Sequence, residues 1–210
     1  MAASEKGEWR RAPPAARQVL ANEADFFTNL LAQSRSSTAK FPTVPNPSAP
    51  AAARPGPELA AMVAAYNQMN HYGRANGMAL SVSVPGQAEY RMAIRDEHLS
   101  SPNTCHGGVL AGLMDAALGA AALSLSFVHQ EFVSTVEFKM NYLNAVHLHD
   151  VLVAKGVVDH AGNTLLVSSC VVYRVQEGRE DVAVARGLGT FNRYPASKRD
   201  FAQLVMPEGS

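Results

Sequence analysis

The sequence contains few cysteines and no excess of charge of either sign. Its 210 residues include two cysteines, Cys105 and Cys170, which form neither a Cys-x-x-Cys pair nor a disulfide framework. Its 18 basic side chains are balanced by 18 acidic ones, so no net charge favours binding to nucleic acid or to an anionic membrane. We therefore expect a cytoplasmic protein that binds neither nucleic acid nor membrane.

The sequence signatures of several enzyme classes are also missing. G-x-S-x-G, H-E-x-x-H, P-loop and dinucleotide-binding patterns do not occur, which argues against most serine hydrolases, zinc proteases and nucleotide-dependent enzymes. The N-terminal stretch includes Glu5 and Glu8 and lacks an apolar run, so we do not expect a secretory signal there. The sequence predicts no cofactor and no metal.

One carboxylate interrupts a long segment that has no other formal charge. Between His98 and Gln130 the only Asp, Glu, Lys or Arg is Asp115, and the apolar run around it is long enough to cross a bilayer. A carboxylate near the centre of a membrane span costs about 2.5 to 3.5 kcal/mol of insertion free energy. We therefore expect a buried helix over residues 108–125, apolar on every side except at Asp115. Such an Asp is either a satisfied core carboxylate or a functional group.

Composition divides the chain into three parts. Residues 1–56 combine an expected helix over residues 15–35 with a proline-rich linker, and residues 196–210 form a tail. Residues 57–195 are the expected globular domain. They begin with a helix from Pro57 to about Gly73 and continue with the alternation of apolar and polar residues that is typical of strands.

Two groups of strands flank the apolar helix in the sequence. We expect a hairpin before it, through Pro85 and Gly86, and four strands after it, with every connection there short enough for an antiparallel hairpin. The four expected strands cover residues 132–142, 150–159, 164–175 and 181–193. This order of elements predicts an α+β fold in which an antiparallel sheet curls around one central helix.

A set of spaced motifs points to one protein family. HGGVL begins at His106, Asp115 follows nine residues after that histidine, VSTVEFKMNYLNA covers residues 133–145, and the last strand ends ARGLGTF. Over roughly residues 75–193 this pattern resembles the hotdog-fold acyl-CoA thioesterases of the phenylacetic-acid-degradation (PaaI-like) type. The resemblance implies a hotdog fold, an acyl-CoA substrate, and a homodimer that commonly pairs into a homotetramer.

The resemblance also implies an active site. The Gly107 N–H would polarise the thioester carbonyl, and Asp115 would attack it or activate a water. His106 matches the family histidine before the glycines, and Thr135 matches a hydroxyl residue on the strand after the helix.

Further residues are expected to bind substrate. Gly108 belongs to the same helix start, and Ser100 stands where many family members have Asn. Asn103 stands where the family often has Gly, and Asn tolerates the left-handed conformation that a turn there requires. Lys139 and Arg186 are candidates for the phosphates of coenzyme A, as is Arg193. The acyl pocket has four candidate residues, which would otherwise simply pack in the core: Tyr66, Met69, Tyr72 and Met78.

The chemistry itself predicts an oligomer. Thioester hydrolysis needs hydrogen-bond donors where negative charge develops on the carbonyl oxygen, and the first turn of a helix supplies free N–H groups. Asp115 lies eight residues beyond Gly107, about 12 Å along a helix, which is too far for both to contact one carbon atom. We therefore expect a symmetric dimer in which the helix start of one subunit faces Asp115 of the other.

Other interpretations stay open. Cys105 beside His106 could be a nucleophile at a helix start, and His147, His149 and Asp150 resemble metal ligands without a third His or Cys. If Ser100 does not position water, the protein would be a non-catalytic hotdog protein that binds acyl-CoA as a sensor or scaffold. A hotdog hydratase is disfavoured because Asp-x-Asn-Pro-x-His is absent.

Overall fold

The computed structural model describes residues 57–195, which form three α-helices and eight strands. The helix expected over residues 15–35, the linker and the tail lie outside the described residues. In chain order the elements are α1 (Pro57–Met69), α2 (His71–Ala75), β1 (Ala79–Val84), β2 (Gln87–Ala93), a 3₁₀ turn (Asp96–His98), β3 (Leu99–Ser101), β4 (Thr104–Cys105), α3 (Gly107–Phe127), β5 (Glu131–Tyr142), β6 (Val151–Ala161), β7 (Leu165–Val175) and β8 (Val182–Pro195).

Local sequence explains the start of the sheet. Apolar residues alternate along β1 and β2, and every second side chain is buried, as a sheet with one covered face requires. The turn between these strands contains Gly86 at φ +86°, a conformation that favours glycine. The Gly86 N–H donates to Ser124 Oγ at 2.9 Å, which attaches the hairpin to α3.

The six long strands form one antiparallel sheet in the order β1-β2-β6-β7-β8-β5. The expected hairpin between β5 and β6 is therefore wrong, because β5 pairs with β8 and β6 pairs with β2. The connection between β5 and β6 crosses one end of the sheet and is bound there by backbone hydrogen bonds. Cys105 N donates to Val146 O at 2.8 Å, and Ile94 N donates to Asp150 O at 2.9 Å.

The sheet curls around α3, whose side chains form the centre of the core. Leu113, Met114, Ala117 and Leu118 are completely buried, and β6 approaches so closely that a Cβ at Gly156 would lie 2.4 Å from the Ala117 carbonyl oxygen. This arrangement confirms the predicted α+β hotdog fold. By length and composition α3 is the one helix of residues 57–195 that could span a membrane, yet in this fold it is the core helix of the sheet.

The prediction that α3 is buried on every side is wrong for its N-terminal half. Side chains at three- and four-residue spacing on one face are exposed or only partly buried, and we call this face the open stripe. It consists of Gly108, Ala111, Gly112, Asp115, Ala116 and Gly119. The stripe stays uncovered because the sheet does not close on itself: its two edges, β1 and β5, are the first and last strands of the order.

Candidate active site

The start of α3 leaves one backbone donor available. His106 is the N-cap: its Nδ1 accepts from Gly108 N at 2.8 Å, and its carbonyl oxygen accepts from Val109 N at 3.0 Å. Of the first three amides of the helix, Gly107 N–H alone has no hydrogen-bond partner among residues 57–195. Gly108, expected to contact substrate, has its N–H occupied by the cap. Glycine is needed there because a Cβ would lie 2.8 Å from His106 Nδ1.

Asp115 is partly exposed on the open stripe and is held by a residue of β5. Thr135 Oγ1 donates to Asp115 Oδ1 at 2.9 Å. No hydrogen bond to Asp115 Oδ2 occurs within the described part of the chain, so this oxygen is available to a water or a substrate. The structure thus brings Asp115 and Thr135 together, as the family pattern implies.

A β-bulge puts Thr135 on the helix side of the sheet. Thr135 pairs with the buried Phe191, whereas Glu137 pairs with Thr190, so two residues of β5 oppose one of β8. The alternation of side chains is therefore reset between Thr135 and Glu137. Unbroken alternation along β5 would place Thr135 on the same face as Glu137, Lys139 and Asn141. The bulge separates them, since Thr135 contacts the helix while Glu137 accepts from Thr190 Oγ1 at 3.0 Å.

A tyrosine that we had not expected lies over the helix start. Tyr142, at the end of β5, donates from its hydroxyl to the Gly107 carbonyl oxygen at 3.0 Å, and its side chain is 55% exposed. Tyr142 belongs to the FKMNY segment, so its place in the strand could be predicted from the sequence. Its contact with Gly107 could not be predicted, because that contact depends on how β5 runs past the helix.

The loop before α3 holds the remaining predicted polar residues. Asn103 has φ 59°, which confirms the expected left-handed turn. Ser100 is exposed, and its Oγ lies 3.5 Å from the Thr104 carbonyl oxygen. Neither residue has a hydrogen bond to Asp115 among those of the described residues.

The predicted phosphate ligands occupy two different environments. Lys139 and Arg186 lie on the outer face of β5 and β8, and both are exposed. Arg193 is buried instead: its Nε donates to Glu131 Oε2 at 2.7 Å and its Nη1 to the Gly162 carbonyl oxygen at 3.0 Å. Arg193 therefore joins β5, β8 and the turn after β6, which corrects its assignment as a phosphate contact.

Comparisons with known proteins identify the family to which the chain belongs. The sequence model of the thioesterase superfamily matches residues 102–180, the part of the chain that contains the helix start, Asp115 and Thr135. A conserved protein of Pseudomonas aeruginosa of known structure is 30% identical, over 59% of this chain and 94% of that one, with a TM-score of 0.52. The chain belongs to the thioesterase superfamily.

Two further comparisons show how similar the chain is to other proteins. The PaaI protein of the E. coli phenylacetic acid degradation operon is 23% identical over 65% of this chain and 94% of its own, with a TM-score of 0.58, which speaks for a common fold. A curated Archaeoglobus fulgidus protein with a provisional esterase name is 32% identical over 78 residues, 37% of this chain. That match spans 48% of the archaeal protein, about half its length. Membership confirms the expected hydrolase class at the level of the family.

The interpretation of Cys105 as a nucleophile does not fit the geometry at the start of α3. Cys105 is buried, and its thiol lies 3.6 Å from the His106 carbonyl oxygen. Burial, and secondarily the charge of Asp150, raise the pKa of this thiol to about 11, so the reactive thiolate is scarce at neutral pH. His106 uses Nδ1 for the helix cap and does not contact the thiol as a base.

The metal interpretation also lacks a ligand set. Asp150 Oδ2 accepts from His147 N at 2.8 Å and lies 3.6 Å from Arg174 Nη1, so this carboxylate already has donor partners. Residues 57–195 contain no group of three or more His, Cys, Asp or Glu side chains that could hold a metal.

Proposed function

We propose that the protein hydrolyses an acyl-CoA thioester to a free acid and coenzyme A. The observation that carries the proposal is the Asp115 carboxylate: it is partly exposed on the open stripe of an otherwise apolar helix, held at one oxygen by Thr135 and free to react at the other. The same helix carries at its start the Gly107 N–H, which is unpaired among the described residues, so α3 offers both a carboxylate that can act as base or nucleophile and a donor for a developing oxyanion.

The proposed reaction uses two groups on the thioester carbonyl. Gly107 N–H donates to the carbonyl oxygen as negative charge develops there, assisted by the positive end of the helix dipole. Asp115 either takes a proton from a water that attacks the carbonyl carbon or attacks that carbon itself, forming an anhydride that water then opens. In both routes the C–S bond breaks and coenzyme A leaves as the thiol, its sulfur receiving a proton.

The proposed site is shared between two subunits. Gly107 and Asp115 of one chain are separated by eight residues of α3, about 12 Å, so the donor that complements Asp115 would be Gly107 of the partner subunit. Two features of the surface support a second copy. The open stripe is uncovered, and β5 is an edge strand beside three exposed apolar side chains, Val136, Tyr142 and Leu143.

Further roles follow from this arrangement. Lys139 and Arg186 are the proposed contacts for the phosphates of coenzyme A, because they are exposed cations on neighbouring strands. His106 holds the helix start in place through its cap, and Ser100 and Asn103 shape the loop that leads into it. We propose that the subunits form a homodimer, or a homotetramer of two dimers, in the cytoplasm.

The proposal is tested by thiol release from a panel of acyl-CoAs. We expect turnover by the natural protein and a loss of about a thousandfold or more in Asp115→Asn, with the oligomer retained. The matched control is Asp159→Asn, because Asp159 also accepts a hydroxyl hydrogen bond, from Ser169 at 3.0 Å, but lies on β6 away from the open stripe. Binding of acyl-CoA without turnover would support the alternative, a non-catalytic sensor or scaffold.

A further inference from the structure

The open stripe of α3 lies between the two edge strands of the curled sheet, β1 and β5. The β5 edge supplies Thr135 and Tyr142, which contact Asp115 and Gly107. At the opposite edge of the sheet, α1 packs against β1. Asp115 therefore has a different wall on each side, and the wall formed by α1 and α2 has no part in the reaction described above.

Two asparagines fix the position of this second wall. Asn67 on α1 exchanges two hydrogen bonds with the backbone of Leu80 on β1, at 2.9 and 2.8 Å. Asn70 caps α2 by accepting from Gly73 N at 2.9 Å, and its amide donates to the Tyr90 hydroxyl at 3.4 Å. The short helix α2 is thus attached to the body of the fold at its N-cap, two residues before Tyr72.

From this position on α2, the Tyr72 side chain approaches the backbone of α3 at Gly112. A Cβ at Gly112 would overlap the Tyr72 hydroxyl oxygen and lie 2.8 Å from the Tyr72 Cζ atom. The phenol therefore occupies the space that a side chain at position 112 would need, and the tyrosine is still 51% exposed on the open side. A side chain at position 112 would therefore require the Tyr72 ring to move, which couples the two positions.

Tyr72 lies beside the reacting carboxylate. Gly112 precedes Asp115 by three residues, so both face the same side of the helix, about 4.5 Å apart along its axis. Tyr66, on α1, belongs to the same wall: burial, and secondarily the charge of Asp115, raise the pKa of its hydroxyl. The wall formed by α1 and α2 thus presents Tyr72 against Gly112 and holds Tyr66 within the electrostatic influence of Asp115.

We propose that Tyr72 is a specificity-determining residue that limits the size of the acyl group. A thioester carbonyl bound at Asp115 has the open stripe on either side of it, and a chain extending towards Gly112 meets the Tyr72 ring after about 4.5 Å along the helix axis. Short acyl groups fit in front of the ring, whereas longer ones collide with it. This inference rests on the proposed thioesterase activity.

The first test compares butyryl-CoA with decanoyl-CoA. Tyr72→Ala raises the ratio of kcat/KM for the long substrate over the short one by about tenfold or more, because it removes a steric barrier of several methylene lengths. Tyr72→Phe keeps the ratio of the natural protein, since the ring and not the hydroxyl blocks the chain. His71→Ala is the matched control, an exposed neighbour on α2. A ratio within one enzyme does not depend on the fraction of protein that folds.

The second test uses the contact between positions 72 and 112. Gly112→Ala displaces the Tyr72 ring and changes the substrate ratio in the natural protein, but has no effect in the Tyr72→Ala background, so the two changes are not additive. If Tyr72→Ala leaves the ratio unchanged while the natural protein hydrolyses butyryl-CoA, the inference on Tyr72 is overturned. If the natural protein hydrolyses no acyl-CoA, the proposed function itself fails.

Discussion

Thr135 Oγ1 donates a 2.9 Å hydrogen bond to Asp115 Oδ1, and this contact joins the edge strand β5 to the central helix. It exists because the bulge between Thr135 and Glu137 turns the threonine towards the helix, whereas an unbroken strand that kept Glu137 on the outer face would also turn Thr135 outward. The bulge therefore positions the Asp115 carboxylate, since it allows Thr135 to bind one of its two oxygens.

Thr135→Val should lower kcat about tenfold while leaving the fold intact, because a hydrogen bond to a charged group contributes about 1.5 kcal/mol or more. Valine has nearly the shape of threonine, so the loss reports the hydroxyl. Thr135→Ser keeps the hydroxyl and should restore most of the activity. Steady-state kinetics with one acyl-CoA measure the effect, and full activity in Thr135→Val would show that Asp115 does not depend on this contact.

Cys105 should be chemically inert and dispensable. With its thiol pKa raised to about 11, little thiolate exists near neutrality, so alkylation by iodoacetamide should be slow and should accelerate only as the pH approaches that value. Cys105→Ala should retain turnover. Mass spectrometry locates the modified residue; rapid alkylation of Cys105 at neutral pH together with inactivation would revive the cysteine mechanism.

His98 should make the fold sensitive to mild acid. It is buried, its Nδ1 accepts from Arg95 N at 3.1 Å, and its Nε2 has no hydrogen-bond partner among the described residues. Burial, and then the charge of Arg95, lower its pKa below the ordinary value of 6.5. The unfolded state therefore binds more protons, and the free energy of unfolding decreases as the pH falls through 6.5.

Urea unfolding of the natural protein and of His98→Gln measures this effect between about pH 7.5 and about pH 5.5. The natural protein should lose more stability over this range than the variant. His129 has a lowered pKa as well, from burial and Arg193, but it is present in both proteins and cancels in the difference. Parallel pH dependences would contradict the assignment to His98.

Much of the fold was predictable because strong local patterns determine it. The apolar run predicted a helix over residues 108–125, and the structure has it at Gly107–Phe127. The alternation of apolar and polar residues predicted each long strand to within a few residues. Strand pairing was not predictable from loop lengths. The connection between β5 and β6 is short, yet it crosses the sheet end because its backbone bonds to Ile94 and Cys105, which are distant in sequence.

The candidate site was predictable where a motif marks it. Asp115, Gly107 and Thr135 were selected as candidates from the family pattern, but their contacts depend on features with no local signal: the bulge after Thr135 and the path of β5 past the helix start. Arg193 illustrates the opposite case, since its charge suggested a phosphate while its burial beside Glu131 depends on tertiary packing. Tyr72 on Gly112 is a contact of the same kind.

The central claim is that Asp115 of one subunit acts with the Gly107 N–H of the partner subunit. Gly107→Pro removes this donor alone: proline suits the first position of a helix, and the preceding His106, with φ −65° and ψ 133°, already has the extended conformation that proline requires. Gly107→Ala is the matched control, because it adds a Cβ beside Tyr142 but keeps the N–H. We expect Gly107→Pro to be inactive and Gly107→Ala to retain activity.

Mixing the two inactive variants tests the claim most directly. In a hybrid of Asp115→Asn with Gly107→Pro, one of the two shared sites combines the intact Asp115 of one subunit with the intact Gly107 of the other. Unfolding and refolding an equal mixture should therefore restore about a quarter of the natural turnover, since half of the dimers are hybrids with one working site each. If hybrid dimers form but no activity returns, Asp115 and Gly107 do not act across the subunit interface.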